Sequence, residues 1–194
     1  MAKKSTQPVR NSSVRIIGGE WRSRKVSVPE VPGLRPTPDR VRETLFNWLA
    51  PTIQGARVFD AFTGSGALFL EALSRGASTA LALDLNTDAV SNLRRNLALL
   101  ECDNAQVLRT DALQYLSRPA EQGFDIVLLD PPFHQDLLLS ACELLDRNGW
   151  LNDRAWIYTE SEQAPSSLGV PSTWRLHREK HTGQVHYALW QKKP

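Results

Sequence analysis

The sequence predicts a doubly wound α/β fold: a mostly parallel sheet with helices on both faces, closed by an antiparallel C-terminal hairpin and preceded by a basic N-terminal β-hairpin or strap. Three observations carry this. Five short, β-rich apolar runs near residues 57–60, 79–84, 105–109, 124–130 and 155–160 alternate with helical patterns near 67–75, 87–100, 111–118 and 136–145. A Gly-x-Gly turn, Gly64 to Gly66, joins the first run to the first of those helices. Two final runs, 173–180 and 184–191, flank Thr182–Gly183 with no helix between them.

Each element has a local reason. Residues 1–13 read as a mobile tail, and 14–31 alternate polar and apolar residues around Gly18–Gly19, as a short hairpin or extended strap does. Pro29 to Pro36 is proline-punctuated loop. Thr37 then reads as an N-cap with Pro38 at the first helical position, and Val41, Leu45, Trp48 and Leu49 share one face of a helix that stops before Pro51. The later strands are continuous apolar runs because a parallel strand is buried on both faces. The helix after Gly66 ends at Gly76, a suitable C-cap. The next starts at Thr87 and buries Val90, Leu93, Leu97 and Leu100.

Composition narrows the function. The 194 residues suit one full domain, with 41% hydrophobic and 23% charged residues. No run approaches the roughly 18 to 20 apolar residues that cross a bilayer. The polar stretch after Lys3 and Lys4 is no signal-peptide core, so a cytoplasmic protein is expected. Cys102 and Cys142 form no CxxC pair and the four histidines no HExxH, so neither a disulfide scaffold nor a metal site is expected. The net charge of +2 hides an asymmetry: residues 1–42 sum to +7 and the remainder to −5. A basic arm on an acidic body is the footprint of a polyanion partner, although a solvated tail gives the same charge count.

The first strand runs Val58-Phe59-Asp60-Ala61-Phe62-Thr63-Gly64-Ser65-Gly66 into a helix. Ligands of open parallel sheets sit beyond the carboxyl ends of strands, where this turn lies, and its glycines admit close backbone approach. A dinucleotide site wants a third glycine where Phe69 stands, and no GxxxxGK[ST] is present. Asp84 ends the second strand at a spacing suited to ribose hydroxyls. Asp111 ends the third, where it either accepts from an adenine amino group or caps the next helix. Together with Asp60, these acids favour an adenosine ligand without a pyrophosphate, a description that S-adenosylmethionine meets.

The fourth strand, Phe124 to Leu129, runs into Asp130-Pro131-Pro132-Phe133. Two prolines simply end a strand, but they also stiffen the turn that aims Asp130 and the Pro131 carbonyl. Two acceptors at one spot, with the Phe133 ring beside them to stack on a planar group, suit an exocyclic amine. Such an amine is a poor nucleophile until acceptors hold its hydrogens, and it becomes cationic as it attacks a methyl group.

In this order, the two motifs resemble class I S-adenosylmethionine-dependent methyltransferases that modify exocyclic amines. More specifically, Arg15-Ile16-Ile17-Gly18-Gly19-Glu20-Trp21-Arg22-Ser23-Arg24-Lys25 and Gly33-Leu34-Arg35-Pro36-Thr37-Pro38-Asp39-Arg40-Val41-Arg42-Glu43-Thr44-Leu45-Phe46 resemble the ribosomal RNA small subunit methyltransferase D family. Leu73 to Ala77 and His177 to Lys180 are similar too. The resemblance implies a seven-stranded sheet and methylation of N2 of one guanine, position 966 of 16S rRNA, on the small subunit or an assembly intermediate, without a metal. It implies an RNA-contacting tail and strap over 1–36 and a methyltransferase domain over 37–194. It assigns Asp60, Phe62, Gly64, Gly66, Asp84 and Asp111 to the cofactor and Asp130, Pro131, Pro132 and Phe133 to the target guanine. Asp84 stands where the family has Glu, Thr63 replaces an alanine, Phe69 a glycine, and Asn86 an acid.

Arg22, Arg24 and Lys25 would bind phosphates, and Trp21 would either stack on a base or pack the strap against the body. Arg35 and the helix start from Thr37 to Arg42 would border the active site. His177, His181 and His186 read as structural or surface residues. Deleting residues 1–25 is expected to weaken RNA binding and spare cofactor affinity. A monomer is expected. Asp-Pro-Pro-Phe also suits DNA adenine or protein glutamine methylation, and a cofactor-holding assembly protein without turnover is a further alternative. The chain lacks a DNA target-recognition domain, and the basic arm suits rRNA better than a protein substrate.

Overall fold

A computed structural model describes residues 12–32, 34–133 and 136–194; of the tail expected over 1–13, residues 1–11, with Lys3, Lys4 and Arg10, lie outside them, while Ser13 belongs to a strand. Two short strands, β1 (Ser13–Arg15) and β2 (Lys25–Ser27), pair antiparallel and precede helix α1 (Asp39–Leu49). There follow β3 (Arg57–Asp60), α2 (Ala67–Ser74), β4 (Thr79–Asp84), α3 (Thr87–Leu99), β5 (Ala105–Arg109), α4 (Ala112–Leu116), β6 (Phe124–Leu129), α5 (Leu137–Arg147), β7 (Leu151–Ser161), β8 (Trp174–Thr182) and β9 (Val185–Lys192).

The seven-stranded sheet has the order β5-β4-β3-β6-β7-β9-β8. From β3 the chain winds outward through β4 and β5, then returns to the other side of β3 as β6. The carboxyl ends of β3 and β6 therefore flank the switch point where such sheets bind ligands. Strands β5 through β7 are parallel, and β9 turns back antiparallel between β7 and β8.

Two apolar clusters sandwich the sheet. One gathers Val58, Ala82, Leu128 and Tyr158 under the strap, α1, α2 and α3; the other gathers Phe59, Leu83, Val127 and Ile157 under α4 and α5. Alternation of side chains along each strand divides them this way.

All eight residues of α2 are buried, because the strap covers the side that the sheet does not. The Glu20 amide donates to the Ser74 carbonyl at 2.7 Å, the Trp21 amide to Ser74 Oγ at 2.9 Å, and Ser74 Oγ to the Gly18 carbonyl at 2.6 Å. The approach is close enough that a Cβ on Gly19, where φ is +77°, would stand 1.8 Å from the Ser74 carbonyl oxygen. Val14, Ile16, Trp21, Val26 and Val28 join the core beside α2 and α3. Deleting residues 1–25 would strip three of these side chains and expose α2, so that truncation tests folding before it tests RNA binding.

One predicted cap is corrected. Pro38, not Thr37, is the residue preceding α1, and no side chain caps that helix. Thr37 is buried and turned inward. The expected N-terminus of α3 is capped by Asn86, whose side chain accepts from the Asp88 and Ala89 amides.

Candidate active site

Four adjacent parallel strands end in acids on one face of the sheet. Asp84, Asp60 and Glu160 continue the rows of Ala82, Val58 and Tyr158, all in the strap-side cluster, and Asp130 follows β6 two residues after Leu128. The pairing of Leu129 with Thr159 sets Asp130 next to Glu160. Asp60 is 2% exposed and Glu160 7%, while Asp130 keeps partial access to solvent.

The environment holds these carboxyls unusually protonated. Burial pushes Asp60 up to about 7, helped by the charge of Asp84 and opposed by the nearby Thr63 hydroxyl and Phe62 amide. Asp130 lies well above the ordinary carboxylate range, first through burial, then through the charges of Glu160 and Asp60, against which Thr37 acts. Burial also raises Glu160, against hydrogen bonds from Tyr158 and Thr37. The Tyr158 hydroxyl donates to Glu160 Oε1 at 2.7 Å, and Tyr158 is fully buried. Thr37 thus serves two acids instead of a helix end.

A buried ion network positions Thr37. Arg42 Nε donates to the Thr37 carbonyl at 3.1 Å, and its terminal nitrogens reach Glu71 at 3.3 Å, Asp39 at 2.6 Å and the Arg15 carbonyl at 2.9 Å. Glu71 in turn accepts from the Ile17 and Gly18 amides at 2.9 and 2.8 Å and from Arg75 at 2.7 Å. Arg42 and Glu71 are both fully buried. One ionic knot therefore ties strap, α1 and α2 together behind the acid row. Arg42, expected at the border of the site, is instead inside this knot.

On the other side of the switch point lie the glycine turn and Asp84. Gly64 and Gly66 adopt φ of +50° and +76°, and a Cβ on either would strike Leu34 or Leu93, so the turn requires glycine. Asp84 accepts from the Gly64 amide and the Asn86 amide, both at 2.8 Å. A carboxylate has about four lone-pair sites, so two acceptor positions on Asp84 are left for hydroxyl donors. Thr63 Oγ1 is buried beside the Asp60 carboxyl. Phe62 is half-buried, and Leu85, directly after Asp84, is 64% exposed. A glycine cradle, a carboxylate and an apolar surface together fit an adenosine-bearing ligand. Asp111 caps α4 with Oδ1 accepting from the Gln114 amide at 2.8 Å, which fulfils the capping alternative for one oxygen. Phe69, at the missing third glycine, is fully buried in the core.

The family described as conserved hypothetical protein 95 matches over residues 14–191. The chain is 50% identical over 182 residues to ribosomal RNA small subunit methyltransferase D of Escherichia coli (strain K12), covering 94% of this chain and 91% of that protein. The chain belongs to the ribosomal RNA small subunit methyltransferase D family. The family member of Haemophilus influenzae is 46% identical over 192 residues, covering 97% of this chain and 99% of its own. The solved structure of yhhF from Escherichia coli superposes with a TM-score of 0.86 at 50% identity, over 94% of this chain and 99% of that one. At the level of fold alone, a 16S rRNA N2 methyltransferase (RsmC) of T. thermophilus in complex with AdoMet and guanosine matches with a TM-score of 0.66 at 20% identity, over 95% of this chain and 50% of that one.

The structure brings Asp60, Gly64, Gly66, Asp84 and Asp130 to one end of the sheet, with Pro131 buried and Phe133 37% exposed. Arg22, Arg24, Lys25 and Arg35 are exposed, and Arg24 also donates to the Leu99 carbonyl at 2.8 Å. Trp21 is corrected from a candidate base-stacking residue: at 8% exposure it packs the strap onto α2, the second of its two expected roles. Sequence reasoning missed Glu160, Tyr158, Leu85 and the inward Thr37. Glu160 was findable, since the strand-end logic applied to Asp60, Asp84, Asp111 and Asp130 covers the run 155–160 equally. Among the described residues no group of His, Cys, Asp and Glu is arranged to hold a metal, and no helix is long and apolar enough to cross a membrane.

Proposed function

We propose that this chain methylates the exocyclic N2 of a guanine in 16S rRNA, acting as a cytoplasmic monomer on the small subunit or its assembly intermediate, with S-adenosylmethionine as donor. The observation that carries the reading is the place of Asp130: beside Glu160, at the switch point, next to a glycine cradle. S-adenosylmethionine would supply an electrophilic methyl group. Asp84 would take ribose hydroxyls, the Gly64 to Gly66 turn would admit the amino-acid end, and Leu85 with Phe62 would cover apolar ring surface. Asp111 keeps Oδ2 for the adenine amino group.

At the target, the Asp130 carboxylate and the Pro131 carbonyl would accept the two N2 hydrogens, turning the nitrogen lone pair toward the methyl group. Phe133 would stack on the unstacked base, whose extrusion is cheapest from an RNA loop. As the nitrogen bonded to the methyl carbon, the sulfur–methyl bond would break and S-adenosylhomocysteine would leave; the nitrogen would become cationic, and the proton it sheds would pass to the Asp130 carboxylate. Burial first, and then the charge of Glu160, raise the proton affinity of Asp130, and Tyr158 and Thr37 hydrogen-bond to Glu160. General-base and electrostatic help of this kind is worth roughly 10² to 10⁴ in rate.

The test is transfer of labelled methyl from S-adenosylmethionine to small subunits from cells lacking the enzyme, with naked rRNA alongside and the modified nucleoside identified by mass spectrometry. N2-methylguanine at one site is the expected product. Asp130→Ala should lower turnover by about 10² to 10⁴ while cofactor and RNA affinities stay within a few-fold. Normal methylation by that variant discards the mechanism. Cofactor binding without transfer to any RNA, by the unaltered protein, leaves an assembly protein instead.

A further inference from the structure

The edge strand β8 is not accounted for by the reaction. After the buried Trp174, its remaining eight residues are all exposed, and they include Arg175, His177, Arg178, Lys180 and His181 against one acid, Glu179. Opposed residues of an antiparallel pair project from the same face. Arg178 is opposite Leu189 and Lys180 opposite Tyr187, and both partners belong to the strap-side cluster. His177 meets the edge of Trp156 with ring centroids 4.8 Å apart, and Trp156 packs on that same cluster. Glu179 is opposite Ala188, in the other cluster, so the acid faces away. The basic row thus stands on the same face of the sheet as the strap and the acid row.

Its position along the strand is equally defined. Tyr187 pairs with Glu160 on one side and with Lys180 on the other. Strands lie about 4.8 Å apart, so the Lys180 Cα is about 10 Å from that of Glu160 and about 14 Å from Asp130. At the tip, a cleft of about 480 Å³ opens between Glu179, Lys180, His181, His186 and the loop residues Ala164 and Ser166. Among the described residues no ion pair engages Arg178 or Lys180.

We propose that the basic row of β8, centred on Arg178 and Lys180, is a second RNA-backbone contact that grips phosphates flanking the target nucleotide on the side opposite the strap. This rests on the RNA methyltransferase reading above. The acids at the strand ends, charged or protonated, offer a phosphate no cation, so a strand that delivers a base to Asp130 is held by cations on the flanks. The strap supplies Arg22, Arg24 and Lys25 on one, and β8 supplies the other. Charged residues on an edge strand also prevent sheet-to-sheet pairing, and that role makes a different prediction.

The experiment compares the full-length protein with Arg178→Gln/Lys180→Gln and with Arg118→Gln/Arg147→Gln, two arginines at the helices of the opposite face. Binding to a 16S rRNA transcript is measured across a salt series, beside cofactor affinity and size-exclusion behaviour. The hairpin variant should lose about ten-fold in RNA affinity at low salt. Its log–log salt slope should fall by about 1.4, or about 0.7 for each single-strand phosphate released. Cofactor affinity and turnover at saturating RNA should hold, and the control should bind like the parent. RNA affinity and slope equal to the parent's, with new self-association, would make these residues edge guards and overturn the proposal. Because binding is read apart from transfer, an unaltered protein that binds RNA through this row yet never methylates it overturns the activity and leaves the surface standing.

Discussion

Glu71 fastens the strap to α2, and its replacement makes a quantitative test of that contact. Its carboxylate is fully buried and takes four partners: two strap amides, Arg42 and Arg75. Glu71→Gln keeps the shape and removes the charge. Arg42, itself inaccessible, keeps the Thr37 and Arg15 carbonyls and, as its remaining charged partner, Asp39, whose side chain is 55% exposed and screened by water. Breaking a buried pair from one side costs about 3–5 kcal/mol, and the residual Asp39 contact places this case near 3. For a chain of this size that corresponds to a fall in Tm of roughly 6–12 °C. Urea unfolding gives the free energy, and amide exchange at Ile17 and Gly18 should accelerate in step. Arg42→Met/Glu71→Leu, which removes both charges, should cost clearly less than the two single changes added together. A loss below about 1 kcal/mol for Glu71→Gln, or strict additivity in the double variant, would refute the view that this knot fastens the strap.

Other outcomes follow from the same coordinates. Asp60 is raised to about 7 from 3.8, so between those values the native state holds a proton that the unfolded chain has lost. Stability should therefore fall as pH rises from about 4 to 7, by up to roughly 4 kcal/mol. Asp60→Asn should remove that slope and be the more stable form at pH near 8; urea midpoints at both ends of the window check it, and an unchanged slope contradicts the assignment. Glu160→Gln takes a negative neighbour from Asp130, so the acid limb of the turnover profile should move to lower pH; a shift the other way sinks the coupling. Trp21→Ala should cost about 3–5 kcal/mol of stability with RNA affinity of the folded protein intact. Arg22→Gln/Arg24→Gln/Lys25→Gln should spare stability and reduce the RNA salt slope by about 2, and the reverse pattern would return Trp21 to the RNA surface.

The sheet was legible because each parallel strand is an uninterrupted apolar run, and turn chemistry at Gly64, Gly76 and Gly183 marks where the chain changes direction. The hairpin ends differ by a residue or two, as element ends do. Side-chain destinations were less accessible. Thr37 has every local feature of an N-cap, yet two buried acids compete for its hydroxyl and win. Trp21 beside Arg22 and Arg24 looks like an RNA contact, but α2 is buried all round and needs a lid. Arg42 reads as a surface cation because nothing local reveals that Glu71, a residue inside an otherwise apolar helix, waits 29 positions away. Long-range ionic pairing leaves no periodic trace in sequence.

Register decides the site more than any single residue does. Asp84, Asp60, Asp130 and Glu160 meet only because each stands an even number of positions beyond a side chain buried on the strap side: Ala82, Val58, Leu128 and Tyr158. A slip of one residue in any of these strands would send its acid to the opposite face, under α4 and α5, and set an apolar neighbour in its place. The buried runs resist that slip, since both faces of each strand are already filled. Asp60, Asp130 and Glu160 cost stability in this row, because burial raises their proton affinity. The same burial makes Asp130 a stronger proton acceptor than a solvent-exposed carboxylate, which suits a nitrogen that must give up a proton as it is methylated. Fold and chemistry thus draw on one constraint: the parity that fills both cores also lines up the acids, and leaves the strap and β8 as the two basic flanks beside them.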